Sequence, residues 1–347
     1  MDLDEEYLPP NSDEESEPDD DPDDNEDAEF ANDRVDDEID AEEDAEEDES
    51  DEEDAEPTRG RRTAPRRQRA VLGRDNRTEW FRRPPANLAP PRIILRIARS
   101  AGVAAGLTDP ASLLKLLINE EIIDIMLRYT NAVIMANRGA RPTMQPYETR
   151  ILTADELYAF LGLLIMTAAL KNSRLRTQEI FSTTTGAPIF SNTMSVNRFK
   201  HLLRFLRFDD KETAEERRRL RKFALFEEVW QMFCTNCQKN YHPSTYMTVD
   251  ETILGFRGNC GFKIYQPQKP DKYGLKIVTL CDAGNSYFFN GVPYTGPVPR
   301  VRGSLMIPTQ EAIKLTTPIH GSERTITADN YFTSTQLATE MLQRNLS

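Results

Sequence analysis

Apolar residues recur at helical spacing between residues 108 and 245. The stretch SLLKLLINEEIIDIMLRYTNAVI, from Ser112, repeats leucine and isoleucine at intervals of three and four, which predicts one long amphipathic helix. Thr153, followed three residues later by Glu156, is a capping-box pattern that predicts the start of a second helix. Ser195 is the expected N-cap of a third helix, and a fourth ends before Pro243.

The periodicity changes near Tyr246. Short runs rich in β-branched and aromatic residues, punctuated by Gly, Pro and Asn, predict strands. These runs are YMTVDETILGF, FKIYQP, GLKIVTLCDAG and YFFNGVPY, followed by a helix in QEAIKLTTPI, a strand in TITADN and a helix in TSTQLATEMLQRN. Thr333 or Ser334 is the expected cap of the last helix. The pattern indicates an α/β fold in which a helical region, residues 108–245, precedes a mixed region, residues 246–347.

Two aspartates occupy similar positions in the mixed region. Asp250 lies within YMTVDETILGF, whose composition predicts a buried strand, and Asp329 ends the strand TITAD. Burying a charge is expensive unless the charge is paired or bound to metal. Acids on neighbouring strands can converge on a divalent cation, and carboxylate oxygens favour Mg²⁺ or Mn²⁺ over zinc. The alternative, that each is a turn residue at a strand end, stays open, and Glu251 is expected on the opposite face from Asp250.

Charge divides the chain into an acidic tail and a basic body. Residues 1–57 contain 33 Asp and Glu and one Arg, whereas the remaining residues contain 42 Lys and Arg and 25 Asp and Glu. A tail so poor in aromatic and branched residues cannot bury enough apolar surface to offset its chain entropy, and we expect it to be disordered. It is interpreted as a solubilising extension, as a DNA mimic that screens the basic body, or as a chromatin-binding segment that contacts histones.

An Arg- and Pro-rich segment follows, at residues 58–107. Clustered arginine predicts a flexible arm that contacts phosphates, and Arg61, Arg62, Arg66 and Arg67 are candidates for a nuclear-import signal and hence a nuclear location. The alternative is a solvated linker.

Further basic residues fall near the aspartates and on the third helix. Arg257, Lys269, Lys272 and Lys276 surround GFRG and KPDKYG and are candidates for DNA phosphate contacts, with surface solubility as the alternative. The same two interpretations apply to the basic residues of the third helix, which are Arg198, Lys200, Arg204 and Arg207.

Cysteine and apolar patterns argue against other classes of protein. Cys234 and Cys237 form a CxxC within a continuous helical pattern, and the paired spacing of a zinc module is absent, so no structural zinc is expected. The longest apolar run, LYAFLGLLIMTAAL from Leu157, has about 14 residues and is short for a membrane span. We therefore expect no membrane partner.

Long motifs in both regions resemble piggyBac-type transposases and their domesticated relatives. VDETILGFRGNCGFKIYQPQKPDKYGLKIVTLCDAGNSYFFNGVPYTG and PIHGSERTITADNYFTS resemble the catalytic domain of that family. RILTADELYAFLGLLIMTAALK, IFSNTMSVNRFKHLLRFLRFDD and EEVWQMFCTNCQKNYHPS resemble its helical DNA-binding and dimerisation region. The resemblance runs from about Arg77 to Leu346.

The resemblance implies an RNase H-like fold with three catalytic aspartates that bind Mg²⁺ or Mn²⁺, of which Asp250 and Asp329 match the first two. It implies cut-and-paste transposition on double-stranded DNA, at transposon ends and TTAA targets, by a homodimer. The family's third aspartate lies farther along than Ser347, so the RNase H-like domain is expected to be incomplete and this chain inactive. Three hypotheses follow, namely an enzyme that requires the missing segment, a non-catalytic DNA- or chromatin-binding protein, and a decayed reading frame that does not fold stably.

Overall fold

A computed structural model of the protein describes most of the chain after residue 93. The described residues are 71–72, 79–80, 94–139, 143–172, 174–210, 212–296 and 303–347. The chain divides into two units, residues 1–81 and 82–347, and in the first of them β1 (Val71–Leu72) pairs antiparallel with β2 (Glu79–Trp80). The predicted acidic tail and the four arginines of the import motif lie outside the described residues.

The first half of the larger unit is helical, as predicted. Its α-helices are α1 (Pro110–Leu117), α2 (Glu120–Ala136), α3 (Pro146–Thr149), α4 (Ala154–Ala169), α5 (Thr177–Ile180), α6 (Pro188–Thr193), α7 (Val196–Phe205), α8 (Ala214–Leu220) and α9 (Ala224–Lys239). Helices α2, α4, α5, α6, α7 and α9 share one core, in which Leu157, Phe160, Phe190 and Leu202 are fully buried.

Helix starts follow the capping chemistry of the sequence. The predicted first helix is divided into α1 and α2, because the Asn119 side chain accepts a hydrogen bond from the backbone N–H of Ile122 and starts a new helix. Thr153 and Ser195 cap α4 and α7, so those two predictions are confirmed.

Glu156 has a different role from the one its spacing predicts. Its carboxylate accepts hydrogen bonds at 2.9 and 2.8 Å from the guanidinium of Arg198 and also pairs with Arg150. The Arg198 side chain is 1% exposed, so the interpretation of Arg198 as a phosphate contact is wrong. Lys200 and Arg204 on the same helix are exposed.

The second half contains the predicted strands and helices. They are β5 (Tyr246–Gly255), β6 (Ile264–Tyr265), β7 (Tyr273–Asp282), β8 (Phe288–Pro293), α10 (Ile307–Thr316), β9 (Thr325–Ala328) and α11 (Thr335–Gln343). The strand order is β6-β7-β5-β9, with β8 on β7. β5 runs antiparallel to β7 and parallel to β9.

The two faces of β5 differ in their environment. Met247 and Val249 point to a core that also contains Val278 and Leu280 of β7. Ala312 and Leu315 of α10 and Leu337 and Met341 of α11 complete that side of the sheet. On the opposite face of β5, Asp250, Thr252 and Leu254 are exposed.

The described residues before α1 form a small two-stranded sheet with β4 rather than a free arm. β3 (Arg99–Ser100) pairs antiparallel with β4 (Tyr241–His242), and Ala101 and Ala104 are buried. Residues 94–107 therefore differ from the predicted flexible segment, because their backbone groups and small apolar side chains are already used in packing.

The last residues run beside β9. Ser347 N–H donates to the Arg324 carbonyl at 2.9 Å, and the Ile326 N–H donates to the Ser347 carbonyl at 2.6 Å. These two bonds have the pattern of a parallel pair.

In the described ranges, none of the helices has the length and apolar character needed to cross a bilayer.

Candidate active site

Asp250 and Asp329 are brought together by strand register. β5 and β9 are parallel neighbours, and Val249 pairs with Ala328. Asp250 and Asp329 are the next residues on the two strands, so both side chains leave the sheet at the same level and on the same face. The predicted convergence of these two acids is present in the fold.

A tight turn holds Asp329 at the end of β9. The Thr333 N–H and hydroxyl both donate to the Asp329 carbonyl, at 3.0 and 2.7 Å. Phe332 is 1% exposed and anchors the turn in the core under the sheet. Ser334 then caps α11 by accepting from the Leu337 N–H. Asp329 is thus placed by a strand, a buried aromatic ring and a capped helix.

Asp250 is held by its own strand and by β7. One carboxylate oxygen accepts a hydrogen bond from the Glu251 N–H at 2.7 Å, and the Asp250 carbonyl accepts one from the Thr279 hydroxyl at 3.2 Å. The side chain is exposed, so the expectation of a buried acid is wrong. Met247 and Val249 lie on the face covered by α10 and α11, whereas Asp250 and the exposed Leu254 lie on the other.

Glu251 joins the two aspartates although it starts from the opposite face. One carboxylate oxygen from each of Asp250, Glu251 and Asp329 lies within 4.8 Å of the others. Side-chain alternation fixes the direction of the Cα–Cβ bond but not the position of a longer side chain's carboxylate. We call these three residues the acid cluster.

The four predicted DNA-contacting residues fall into two environments. Arg257 and Lys272 are exposed. The Lys269 ammonium is 45% exposed and lies 3.5 Å from the Glu251 carboxylate. The Lys276 side chain is 12% exposed, and its ammonium lies 3.9 Å from the other Glu251 oxygen. Arg257, Lys269 and Lys272 are accessible to a large ligand, and Lys276 is much less so.

Sequence reasoning missed two tyrosines that contact Lys276. The Lys276 ammonium lies 4.8 Å from the ring centre of Tyr331 and 5.8 Å from that of Tyr294. Tyr331 follows Asp329 by two residues, and this proximity was the one feature of the sequence that could have placed Tyr331 near the site. Nothing in the sequence indicated that Lys276, 55 positions before Tyr331, would lie beneath it.

The cysteines near the sheet are shielded. Burial, and more weakly the negative charge of Asp250, raise the pKa of the Cys281 thiol. Burial also raises the pKa of Cys234 to about 11 and of Cys237 to about 12, and both residues lie in α9. These thiols are protonated at neutral pH and are poor nucleophiles in that state.

The donor set of the acid cluster fits a hard divalent cation. Its atoms are carboxylate oxygens, which Mg²⁺ and Mn²⁺ prefer, and the two aspartates are exposed to incoming solutes. Three carboxylates at such short range repel one another in the absence of a positive partner. The cluster is therefore suited to hold a cation beside a large anionic ligand.

Comparisons with known proteins agree on one family. The family model described as Transposase IS4 matches residues 109–347. Human piggyBac transposable element-derived protein 3 is 24% identical over 238 residues, which cover 66% of this chain and 37% of that protein. The human chimeric ERCC6-PGBD3 protein is also 24% identical over 238 residues, covering 66% of this chain and 21% of the relative.

A solved structure has a similar fold. It is the cryo-EM structure of the piggyBac transposase synaptic complex with hairpin DNA, with a TM-score of 0.67 and 37% sequence identity. The similarity covers 73% of this chain and 52% of that chain. The chain thus spans about half the length of the solved relative and a smaller part of the human ones.

Proposed function

The chain belongs to the Transposase IS4 family and is of the piggyBac type, and from this membership we propose that it acts in metal-dependent DNA cleavage and strand transfer. Transposases of this family depend in general on divalent metals. The mixed helix and sheet architecture is similar to that of the piggyBac transposase. We propose that the sheet and its helices are the RNase H-like catalytic domain, in which β5 and β9 carry the first two acids.

One observation carries the proposal, the meeting of Asp250 and Asp329 on adjacent parallel strands. In this interpretation both aspartates are metal ligands and catalytic residues, holding Mg²⁺ or Mn²⁺. The bound cation would lower the pKa of an attacking water or hydroxyl group and offset charge on the scissile phosphate. The chain's own contribution is to fix the two carboxylates at one level of the sheet and to leave them open to DNA.

The substrate side of the proposal rests on exposed cations between β5 and β7, of which Lys269 lies 3.5 Å from Glu251 of the acid cluster. Arg257, Lys269 and Lys272 would contact phosphates of double-stranded DNA, and the solved relative is a complex with hairpin DNA. Transposon ends and TTAA targets are the proposed DNA, by relation to the family. A nuclear location, a homodimer and a chromatin contact through the acidic tail belong to the same proposal.

The activity of a whole transposase is itself a proposal for this chain, since the chain spans part of its relatives. The acid cluster contains two aspartates and Glu251, and the proposed third catalytic aspartate is not among them. We propose that full cleavage activity requires that third acid.

The experiment is a nicking assay on the 347-residue chain with labelled duplexes that contain a TTAA site. We expect residual nicking in Mg²⁺ or Mn²⁺ that stops in EDTA and is lost in Asp250→Asn and in Asp329→Asn. Glu216→Gln, a change at an exposed acid on α8, is the matched control and should nick like the parent. Equal nicking by the parent and Asp250→Asn would sink the enzyme proposal.

A second function is favoured by the state of Glu251. Two lysines already partner its carboxylate, so the acid cluster has two aspartates available for a cation. A protein of this kind would bind DNA or chromatin without cutting it. DNA binding that is equal in parent and Asp250→Asn, with no nicking by either in any divalent cation, would support this second function.

A further inference from the structure

Lys276 lies at a junction of the elements that carry the acid cluster. It belongs to β7, pairs across the sheet with Ile253 of β5, and its carbonyl accepts a hydrogen bond from the Tyr294 N–H at 2.9 Å. Its side chain is largely buried, at 12% exposure. A lysine ammonium is rarely buried to this extent without nearby groups that compensate its charge.

The first compensating group is Glu251. The Lys276 ammonium lies 3.9 Å from one Glu251 oxygen, and the Glu251 side chain is 14% exposed. Since both side chains are largely screened from water, their attraction is stronger than that of an exposed pair. Lys269 approaches the other Glu251 oxygen at 3.5 Å, but it is 45% exposed and its pull is screened more.

The second compensating group is the ring of Tyr331. A cation within about 6 Å of an aromatic ring centre is attracted by the negative face of the ring. The ring centre of Tyr331 lies 4.8 Å from the Lys276 ammonium, and Tyr331 is in the turn that starts with Asp329. Lys276 on β7 therefore contacts Glu251, which follows Asp250 on β5, and also Tyr331, which lies in the turn that Asp329 starts after β9.

We propose that Lys276 is a positioning residue of the acid cluster, which restrains Glu251 from coordinating the cation and leaves Asp250 and Asp329 as its ligands. The inference rests on the proposed function, because it assumes a cation at the two aspartates. Lys276 also stabilises the cluster of like charges when no cation is bound, since its ammonium offsets part of their repulsion.

The role of Glu251 depends on whether the Lys276 ammonium is present. With Lys276 present, Glu251 is a partner of lysine and contributes little to cation binding. Without the Lys276 ammonium, the Glu251 carboxylate keeps the more exposed Lys269 as a partner and one of its oxygens is freed, in a cluster whose oxygens already lie within 4.8 Å of one another. Glu251 then becomes an additional ligand, and the cluster gains net negative charge.

The test is a double-mutant cycle read as Mn²⁺ affinity, by calorimetry and by electron paramagnetic resonance of free Mn²⁺. Lys276→Met should tighten Mn²⁺ binding about tenfold, because one nearby positive charge is lost and one carboxylate oxygen is freed. Glu251→Gln alone should change affinity less than about threefold, and the double variant should lose the gain. Lys276→Arg should stay near the parent, and Lys272→Met, at an exposed lysine just before β7, is the control for charge alone.

Two results would overturn the proposal. One is a tenfold or greater loss of Mn²⁺ affinity in Glu251→Gln, which would make Glu251 a ligand in the parent. The other is unchanged or weaker binding by Lys276→Met when thermal unfolding in EDTA shows it to be folded. If Lys276→Met does not fold, the Glu251→Gln measurement still decides the point.

Failure of the proposed function gives a different result. If Asp250→Asn and Asp329→Asn both bind Mn²⁺ as the parent does, the cation site itself is absent. If they weaken binding but the Lys276 and Glu251 cycle shows no coupling, the positioning role alone fails.

Discussion

Val249 on β5 pairs with Ala328 on β9 in parallel register, and each is followed at once by an aspartate. A shift of one residue in either strand would send one aspartate to the face covered by α10 and α11. Burial of Val249 and Met247 opposes such a shift, so the packing of the apolar face sets the position of the acids on the open face.

Asp250→Asn and Asp329→Asn are expected to leave the fold intact and to remove repulsion in the acid cluster. In EDTA each variant should unfold at the same temperature as the parent or slightly above it. Both side chains are exposed, and each substitution removes one of the negative charges that repel one another. In Mn²⁺ the parent should gain stability by mass action and the variants should gain less. Thermal unfolding with and without Mn²⁺ checks this, and a large loss of stability in EDTA would show that the acids are structural.

Arg198→Ala should destabilise the helical region by about 3 kcal/mol, because it leaves the Glu156 carboxylate without its buried partner. The Arg198 side chain is 1% exposed and that of Glu156 is 13% exposed. Urea denaturation followed by circular dichroism measures the free energy of unfolding. Arg219→Ala is the matched control, since its pair with Glu215 is 77% and 74% exposed and should cost less than about 1 kcal/mol. Equal losses in the two variants would contradict the buried role of Arg198.

The pair of Arg198 and Glu156 also predicts how the free energy of unfolding depends on pH. Burial raises the pKa of Glu156, but hydrogen bonds from Arg198 and Arg150 outweigh burial and hold that pKa below its ordinary value of 4.5. The stabilisation is therefore complete above about pH 4.5 and is lost as the pH falls through the lowered pKa of the folded state. The difference in unfolding free energy between the parent and Glu156→Gln should shrink as the pH is lowered from about 7 to about 3. A constant difference across that range would contradict the lowered pKa.

Charge reversal at Arg257 or Lys272 should weaken DNA binding and reduce its salt dependence together. Each phosphate contact that is lost lowers the slope of log affinity against log salt by about one. Fluorescence anisotropy on a labelled duplex at several salt concentrations measures both quantities. Lys314→Glu, at an exposed lysine on α10, should change them much less. A lower affinity with an unchanged slope would place the two residues outside the phosphate contacts.

The sequence alone indicated most of the secondary structure and the two aspartates that the fold brings together. Regular spacing of apolar residues predicted α4, α7, α9 and α11, and the capping residues Thr153 and Ser195 were read correctly because a cap is a local interaction. β5, β7, β8 and β9 followed from their composition. Asp250 and Asp329 were predicted as metal-binding acids for two reasons. They occupy similar positions in two predicted strands, and they lie in long motifs that resemble those of a known family.

Tertiary structure decided which charges are available to a ligand. Arg198 and Lys276 look in the sequence like the exposed Lys200 and Lys272, since a basic residue on an amphipathic element has the same local pattern in either setting. Whether its side chain is buried depends on partners far along the chain, Glu156 for Arg198 and Glu251 with Tyr331 for Lys276. Local spacing holds no information about such contacts.

The sequence by itself determined that this chain has two aspartates on two strands, a basic body and the motifs of a transposase. The tertiary structure decided that β5 and β9 are neighbours in one register, that Asp250 is exposed, and that Glu251 comes within 4.8 Å of both aspartates while paired to Lys276. The reason is physical, because secondary structure follows from interactions between residues close in the chain. The electrostatic field at the acid cluster depends instead on distances between charged residues that are far apart in the chain. Only packing brings those residues together.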